Sequence, residues 1–543
     1  MKNKNIYLRF IRTAALTVCA VLIFAGCSED LFEKEPLDAI SDATFWQTQE
    51  DAYLALVGVY DNGTGFKGED FWTPRALLYL DLMAGQGSEK ELLPDHVTDG
   101  SLNASYFITA NYYSNGYQKI VACNNFLDHI DQVEMDADLK LEMKAEVRTI
   151  RAYQYFNLAL YFGGVPLVKT LLTVEEVNSL SRASKEDVWS FAETELSESY
   201  PDLPSERPDS ESGRITSGAA LAILGRLQLA NKDWSNAATT YKMIIDSQAY
   251  SLATNFQGLF WQENEGNSEV ILSSQYQEDT YSHVLTQYLY PEMYGGWHQF
   301  SPYNELVKTF EATDGLTIEE SPIFDVNDPY ENRDPRLDYT IMISDRTVFQ
   351  DRTFVSRPDS DSPDRFTRYN WSGYNIFKFM DPSFQSTNLF NYGGNWAIIR
   401  YAEVLLGYLE AKLEAGDAID QSLLDATINR IRGRQDVQMP AIDVSGTEQL
   451  RECIRRERVV EFAFEGLHYY DLLRWGTAAE NLNRSFTGMK LTNDPTNYTD
   501  YDVDDQGYLI YQTRNFKEGI NELWPIPQGE IDINPNLEQN PGY

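Results

Sequence analysis

The sequence predicts a mainly α-helical protein, a scaffold of helical-repeat hairpins carrying an irregular, loop-rich lobe with short β pieces. Three observations predict it. Apolar residues recur at helical spacing through much of residues 48–246 and again beyond 400. Residues 217–246 have the length and small-residue content of a paired-helix repeat unit. Between about 247 and 396 the periodicity gives way to loops full of Asp, Pro, Gly and Asn. With 543 residues, 43% hydrophobic and 13% aromatic, the chain can bury a sizeable core. At ~150 residues per domain the length would allow three or four domains. The patterning instead divides it into a leader at 1–26, a helical region at 27–246, a loop-rich insertion at 247–396 and a C-terminal helical region with a tail at 397–543.

The elements follow in order. Thr48 and Asp51 form a capping box ahead of Ala52, Leu56 and Val59 on one helical face, and Asn62-Gly63 stops that helix. Across 137–162, Met143, Val147, Ile150, Gln154, Leu158 and Tyr161 fall at steps of three or four, so one long helix is predicted, ended by Gly163-Gly164-Val165-Pro166. Ser184 and Asp187 open another helix that runs to about Tyr200, and the polar stretch 201–212 reads as an exposed loop. Within 217–246, Ala220, Leu224 and Leu227 line one helix, Asp233-Trp234 make the turn, and Ala237, Ala238, Tyr241 and Ile245 line the next, a unit that looks like a tetratricopeptide repeat (TPR). Residues 400–416 and 420–434 predict a second hairpin. In the insertion, Val270-Ile271-Leu272 and residues 339–343 read as β pieces, and Ser301-Pro302 as a helix start.

Charge narrows the function. Asp plus Glu number 83 against 44 Lys plus Arg, a net charge of -39, which excludes nucleic acid as a partner because phosphates need a basic face. The one basic concentration is Lys2, Lys4, Arg9 and Arg12, followed by an apolar run at 13–26 that is too short for the ~20 residues of a membrane-spanning helix. This predicts a signal peptide. The run ends Leu22-Ile23-Phe24-Ala25-Gly26-Cys27, which resembles the lipobox of bacterial lipoproteins with Phe24 at the usual Leu place. The resemblance implies cleavage before Cys27 and acylation of its thiol, anchoring the protein without a transmembrane helix. Glu29 and Asp30 resemble the acidic export signal that sends Bacteroidetes lipoproteins to the outer face of the outer membrane. Without its leader the chain carries 40 basic and 83 acidic residues, a charge of -43 that favours a neutral ligand. Cys123 and Cys453 then remain, compatible with one disulfide or two free thiols. No metal is expected: the 5 His lie in no His-x-x-x-His spacing, and the EF-hand-like Asp502, Asp504, Gln506, Gly507 run has Thr513 where Glu should stand, so it reads as a solvated acidic turn.

Four segments together resemble the SusD/RagB family of nutrient-binding outer-membrane lipoproteins of Bacteroidetes. They are EVRTIRAYQYFNLALYFGGVPLV at 146–168, RYAEVLLGYLEAKLEAGD at 400–417 with INRIRGR at 428–434, IRRERVVEFAFEGLHYYDLLRWG at 454–476, and LWPIPQGEIDINPNLEQNPGY at 523–543. Read as residues, these are architecture. In 454–476, Arg455 and Arg458 precede Glu461 and Glu465 at spacings that let them pair along a scaffold helix, with Val459, Phe462, Leu467 and Leu472 facing the core. Trp524-Pro525-Ile526-Pro527 must run extended, with the Trp as an anchor. The resemblance implies a SusD-like fold, a TPR-like frame beside a loop-built ligand face, and a SusC-like TonB-dependent barrel as partner. Most members bind oligosaccharides, and the RagB branch binds peptides.

Sugar binding needs a flat aromatic face for C–H groups and amide, carboxylate or guanidinium groups for hydroxyls. Three loop clusters offer these. One is Phe71-Trp72 with Tyr79, Asp81, Gln86 and Ser88, where Asp81 resembles a recurrent family Asp. The second is Tyr290, Tyr294, Gly295-Gly296, Trp297 and His298, whose glycines free the backbone to expose Trp297. The third is Arg368, Trp371, Tyr374 and Asn375. The ligand-binding expectation rests on Trp72, Asp81, Tyr294, Trp297, Trp371 and Tyr374, with Trp297 foremost. No His-Glu-x-x-His, Gly-x-Ser-x-Gly or phosphate loop appears, so neither an enzyme nor a cofactor is expected. The expectation is a surface lipoprotein that captures glycan and hands it to the transporter, the alternatives being a peptide-binding relative or a structural TPR-like interaction protein.

Overall fold

The computed structural model describes residues 45–61, 69–366, 372–497 and 500–543; the expected signal peptide at 1–26 and Cys27 lie outside them. Helix α1 (Gln49–Tyr60) starts at the expected capping box, the Asp51 carboxylate accepting from Thr48 N–H at 2.8 Å, and it buries Ala52, Leu56 and Val59. Its expected stop at Asn62-Gly63 falls outside the described residues. Helix α2 (Pro74–Met83) opens on Pro74 and is buried almost all round. Helix α3 (Phe107–His129) packs on α4 (Ala137–Phe162), the long helix predicted, which Asp136 caps and Gly163 ends at φ +73°. Helix α5 (Lys185–Ser199), capped by Ser184, covers the other side of α4. The repeat-like hairpin is α6 (Ser217–Ala230) and α7 (Trp234–Ser247).

Helix α8 (Tyr401–Glu414) then packs against α7. Two glycines allow this three-helix contact. A Cβ on Gly225 of α6 would stand 2.6 Å from the Tyr241 ring, and one on Gly407 of α8 would stand 2.7 Å from the same ring. The expected partner of α8 is broken into two short turns, Gln421–Ala426 and Ile428–Arg432. Thr427 sits between them at φ −125°, ψ −99°, with its hydroxyl donating to the Leu423 carbonyl at 2.6 Å.

The lobe is irregular and tied down by two-stranded antiparallel pairs. Strand β1 (Gly87–Glu89) pairs with β3 (Phe300–Pro302), and β2 (Val270–Ser274) pairs with β4 (Trp396–Arg400), closing the two ends of the lobe on each other. Strand β5 (Ser485–Lys490) pairs with β6 (Tyr508–Thr513), and the acidic turn before β6 is held by Asp504 accepting from Gln506 and Tyr508 N–H. Two local expectations are corrected. Ser301-Pro302 lies in β3, and the helix begins only at Asn304, because Ser301 and Pro302 are engaged in the pairing with Gly87 and Ser88. Residues 336–340 are helical, leaving a strand of only Ile341–Met342 against Asn375–Ile376.

The 454–476 segment also departs from one helix. Helix α9 (Thr447–Glu461) stops, Phe464 and Gly466 take positive φ, and α10 (His468–Trp475) starts afresh. The charges on it do not pair along the helix. Glu461, wholly buried, accepts from Arg434 at 2.7 Å, Arg336 at 3.0 Å and Arg400 at 3.1 Å. Glu465 accepts from Arg400 at 2.6 Å and Lys378 at 2.6 Å, while Arg458 reaches forward to Asp471 at 2.8 Å. Arg455 instead lies over the Trp475 ring. The tail runs extended as expected: Trp524 is buried, stacks on Tyr161 at 4.7 Å and donates its backbone N–H to the Tyr161 carbonyl. Cys123 and Cys453 are free thiols.

Burial works to raise the Glu410 carboxyl, but the charges of Arg474 and Arg458 outweigh it and hold the group down at about 2. A folded pKa below the unfolded one gives stability that is present above the ordinary carboxylate value and lost as pH falls through the folded value. Calorimetric unfolding should therefore show stability declining as pH drops from ~4.5 toward 2, with a shallower decline in Glu410→Gln. Glu461→Gln at pH 7 should lose ~3–5 kcal/mol, since it leaves three guanidinium groups buried and undercompensated.

Candidate functional site

Trp297 owes its position to its neighbours in sequence. Gly295 turns at φ +89°, and a Cβ on Gly296 would fall 1.9 Å from the Tyr290 carbonyl oxygen, so only glycine allows the chain to double back there. Residues 297–299 are then pinned by N–H donation to the carbonyls of Gln287, Tyr290 and Tyr288 at 2.8, 2.9 and 2.8 Å. His298 points inward and bonds Asp364 through Nδ1 at 2.9 Å, and Asp364 in turn accepts from Glu292 and Met293 N–H. With its backbone fixed from both sides, the Trp297 indole is left 39% exposed.

The indole is braced edge-on by Tyr288 at 5.0 Å and by Phe390 at 5.4 Å, and Phe390 is itself 36% exposed. Polar groups surround this platform. Arg75 donates to the Tyr288 hydroxyl at 3.2 Å and pairs with Glu69 at 2.9 Å; Lys90 lies 3.7 Å from Glu292, and its backbone N–H bonds the Gln299 carbonyl. A flat exposed ring beside guanidinium, ammonium and carboxylate groups can take the C–H face of a sugar and its hydroxyls together.

The other expected residues are placed differently. Tyr294 is half-buried, its hydroxyl 2.9 Å from the carbonyls of Phe349 and Arg352, and burial pushes it up to about 12. It braces the turn that carries Trp297. Trp72 is buried, edge-on to Tyr153 at 5.6 Å, and reaches only the floor of a cleft beside α1. Asp81 is wholly interior: its carboxylate accepts from Gly466 and His468 N–H at 2.7 Å each, capping α10, and burial raises it to about 8 despite those bonds. Phe71, Tyr79, Gln86 and Ser88 are buried with it. Tyr374 is buried with its hydroxyl 2.8 Å from that of Tyr330, and Asn375 donates to the Leu289 carbonyl. Trp371 and Arg368 lie outside the described residues. Asp81 and Tyr374 thus serve the interior, because their polar atoms meet backbone and a second tyrosine rather than solvent. Sequence reasoning missed Phe390, Tyr288 and Arg75 as members of the platform. Arg75 could have been found as the one charge at the start of an otherwise apolar helix.

Among the described residues, no group of three or more His, Cys, Asp or Glu side chains could hold a metal ion.

Packed helix pairs, a loop-rich lobe closed by β2 and β4, and an exposed aromatic platform on that lobe define a mainly helical protein of the helical-repeat kind. The chain belongs to the SusD family, whose model matches residues 261–543, and a second model, described as starch-binding associating with outer membrane, matches residues 79–229. A SusD-like carbohydrate binding protein of Bacteroides fragilis NCTC 9343 is 33% identical with a TM-score of 0.87, the match covering 91% of this chain and 100% of that one. A laminarin binding SusD-like protein is 25% identical with a TM-score of 0.65, covering 92% and 100%. SusD-like protein P25 of Formosa agariphila is 23% identical over 97% of this chain and 99% of its own length.

The placement of the two tryptophans separates packing from surface. Trp72→Ala should cost ~3–5 kcal/mol of stability in denaturant unfolding, as expected for a buried large aromatic, whereas Trp297→Ala should cost clearly less.

Proposed function

We propose that the protein is a surface lipoprotein, held in the outer membrane through acylated Cys27, that binds neutral oligosaccharide or polysaccharide on the Trp297 platform and delivers it without chemistry to a SusC-like TonB-dependent transporter. The observation that carries this reading is the rigidly held, exposed indole of Trp297, flanked by Phe390 and by hydrogen-bonding charges. Relatives described as carbohydrate, laminarin and starch binding support the ligand class. The net charge of -39 supports a neutral glycan over a sulfated or uronic one. The short apolar leader ending at Cys27 supports the anchor.

Calorimetry of the purified protein against a panel of neutral and sulfated glycans should show binding to a neutral one, and Trp297→Ala should weaken it at least about tenfold, or ~1.4 kcal/mol. Unchanged affinity in that variant removes Trp297 as the platform. Prolonged incubation with the bound glycan should release no new reducing ends; their appearance would replace capture by hydrolysis. Cells fed a labelled fatty acid should label the protein, and Cys27→Ala should abolish the label.

A further inference from the structure

A second concave region lies apart from the Trp297 platform. It holds about 1360 Å³ between the outer face of α1, the 205–216 loop, β2 and the turn at 276–281. That exceeds the ~300–1,000 Å³ of pockets that enclose drug-sized ligands, so it has room for several linked rings. Its lining combines two kinds of chemistry. Leu54 and Val57 of α1 form an apolar wall and are 59% and 51% exposed. The lining also includes Gln275, Glu265 and Asn395, an amide and carboxylate group held in one network: Asn395 Nδ2 donates to Glu265 at 3.0 Å and to Gln275 at 3.1 Å. Apolar surface together with amides and a carboxylate in one cleft matches a sugar ring, which has a C–H face and a hydroxyl edge. An anion is a poor fit. The two arginines on the wall, Arg207 and Arg214, are already matched by Glu142, Glu146 and Glu211.

The cleft is also joined to the platform. Tyr281 lines it, its hydroxyl donating to Asp61 at 2.5 Å, on a tight turn closed by paired Gln277–Tyr281 backbone bonds. Asp279 of that turn and Asn391 exchange two hydrogen bonds at 2.7 and 2.8 Å, and Asn391 follows Phe390, which touches Trp297. Ser282 further links the turn to the Phe390 carbonyl at 3.4 Å. Platform and cleft are therefore linked through one hydrogen-bonded turn.

We propose that the cleft is a second binding region for neutral glycan, taking the continuation of a chain that first docks on Trp297, so that the protein selects polymers and long oligosaccharides over short ones. This rests on the platform reading above. The test is calorimetry of the purified protein with ladders of neutral α- and β-glucan oligosaccharides from two to ten units and their parent polymers. The variants compared are Leu54→Arg/Val57→Arg, which narrows the cleft at solvent-exposed positions, and Trp297→Ala. Long chains should bind at least about tenfold more tightly than short ones. The double variant should bring long chains down to the short-chain affinity and leave short-chain binding unchanged, while Trp297→Ala weakens both. Length-independent affinity, or a double variant that binds long chains as wild type does, overturns the second region and leaves the platform standing. No binding by any member of the ladders overturns both.

Discussion

The buried carboxylate of Glu461 is the constraint on which the architecture turns. Its guanidinium partners come from three parts of the chain: Arg336 from the lobe, Arg400 from the junction of β4 with α8, and Arg434 from the turn after α8. Glu269, at the head of β2, closes the circuit by accepting from Arg400 at 2.5 Å and Arg434 at 2.9 Å. Glu457 adds Arg336 and Arg432, and Glu311 takes Arg432 and Arg456. Each of these charges is costly to bury alone and tolerable only with its partners in place. Scaffold and lobe can therefore satisfy the network only in one relative placement, and that placement sets β2 and the turn at 276–281 beside α1.

A second lock works from the other side of α2. Asp81 caps α10, and a Cβ on Gly466 would come within 2.9 Å of the Leu77 carbonyl oxygen, so the start of α10 sits directly on α2. Arg514 reaches the same region, donating to the carbonyls of Leu82 and Met83 and to Asp95. Residues more than 380 apart in sequence thereby fix α2, whose first turn carries Arg75 to the edge of the Trp297 platform. The aromatic surface is rigid because charges at a distance from it are paired.

What was legible in the sequence divides along the same line. Helices α1, α4, α5, α6 and α7 were readable because caps and apolar spacing are local signals, and the extended tail because Trp524-Pro525-Ile526-Pro527 cannot be helical. The break between α9 and α10 was not, since Phe464 takes a positive φ that its side chain disfavours and only long-range packing imposes. The partners of Arg455, Arg458, Glu461 and Glu465 were misread for a related reason: spacings of three to seven suggest pairs along one helix, yet Glu461 and Glu465 meet Arg336, Lys378, Arg400 and Arg434 from distant segments, and Arg455 and Arg458 reach past the helix break to Trp475 and Asp471. At the platform, Trp297 was legible through Gly295-Gly296. Asp81 and Trp72 read as ligand groups although the run Ala76-Leu77-Leu78-Tyr79-Leu80 is apolar all round, the mark of a buried helix. Phe390, alone in a loop, carries no local signal that it would meet Trp297.

The buried network also changes what the acidity of the protein means. Arg151, Arg226, Arg336, Arg400, Arg432, Arg434, Arg458, Arg474 and Arg514 are all interior, each engaged with buried acids or carbonyl groups. The chain has only 44 basic residues, so committing these to the core thins the positive charge left for the outside. Acids such as Glu195, Glu403, Glu457 and Glu461 are buried with them, so the exterior keeps an acidic excess while losing these guanidinium groups. A polyanionic ligand would have to recruit guanidinium groups that folding has already used, whereas a neutral one meets an aromatic face and hydrogen-bonding groups without that penalty. The shortage of guanidinium groups at the surface is in this sense set by the same arginines that hold scaffold and lobe together.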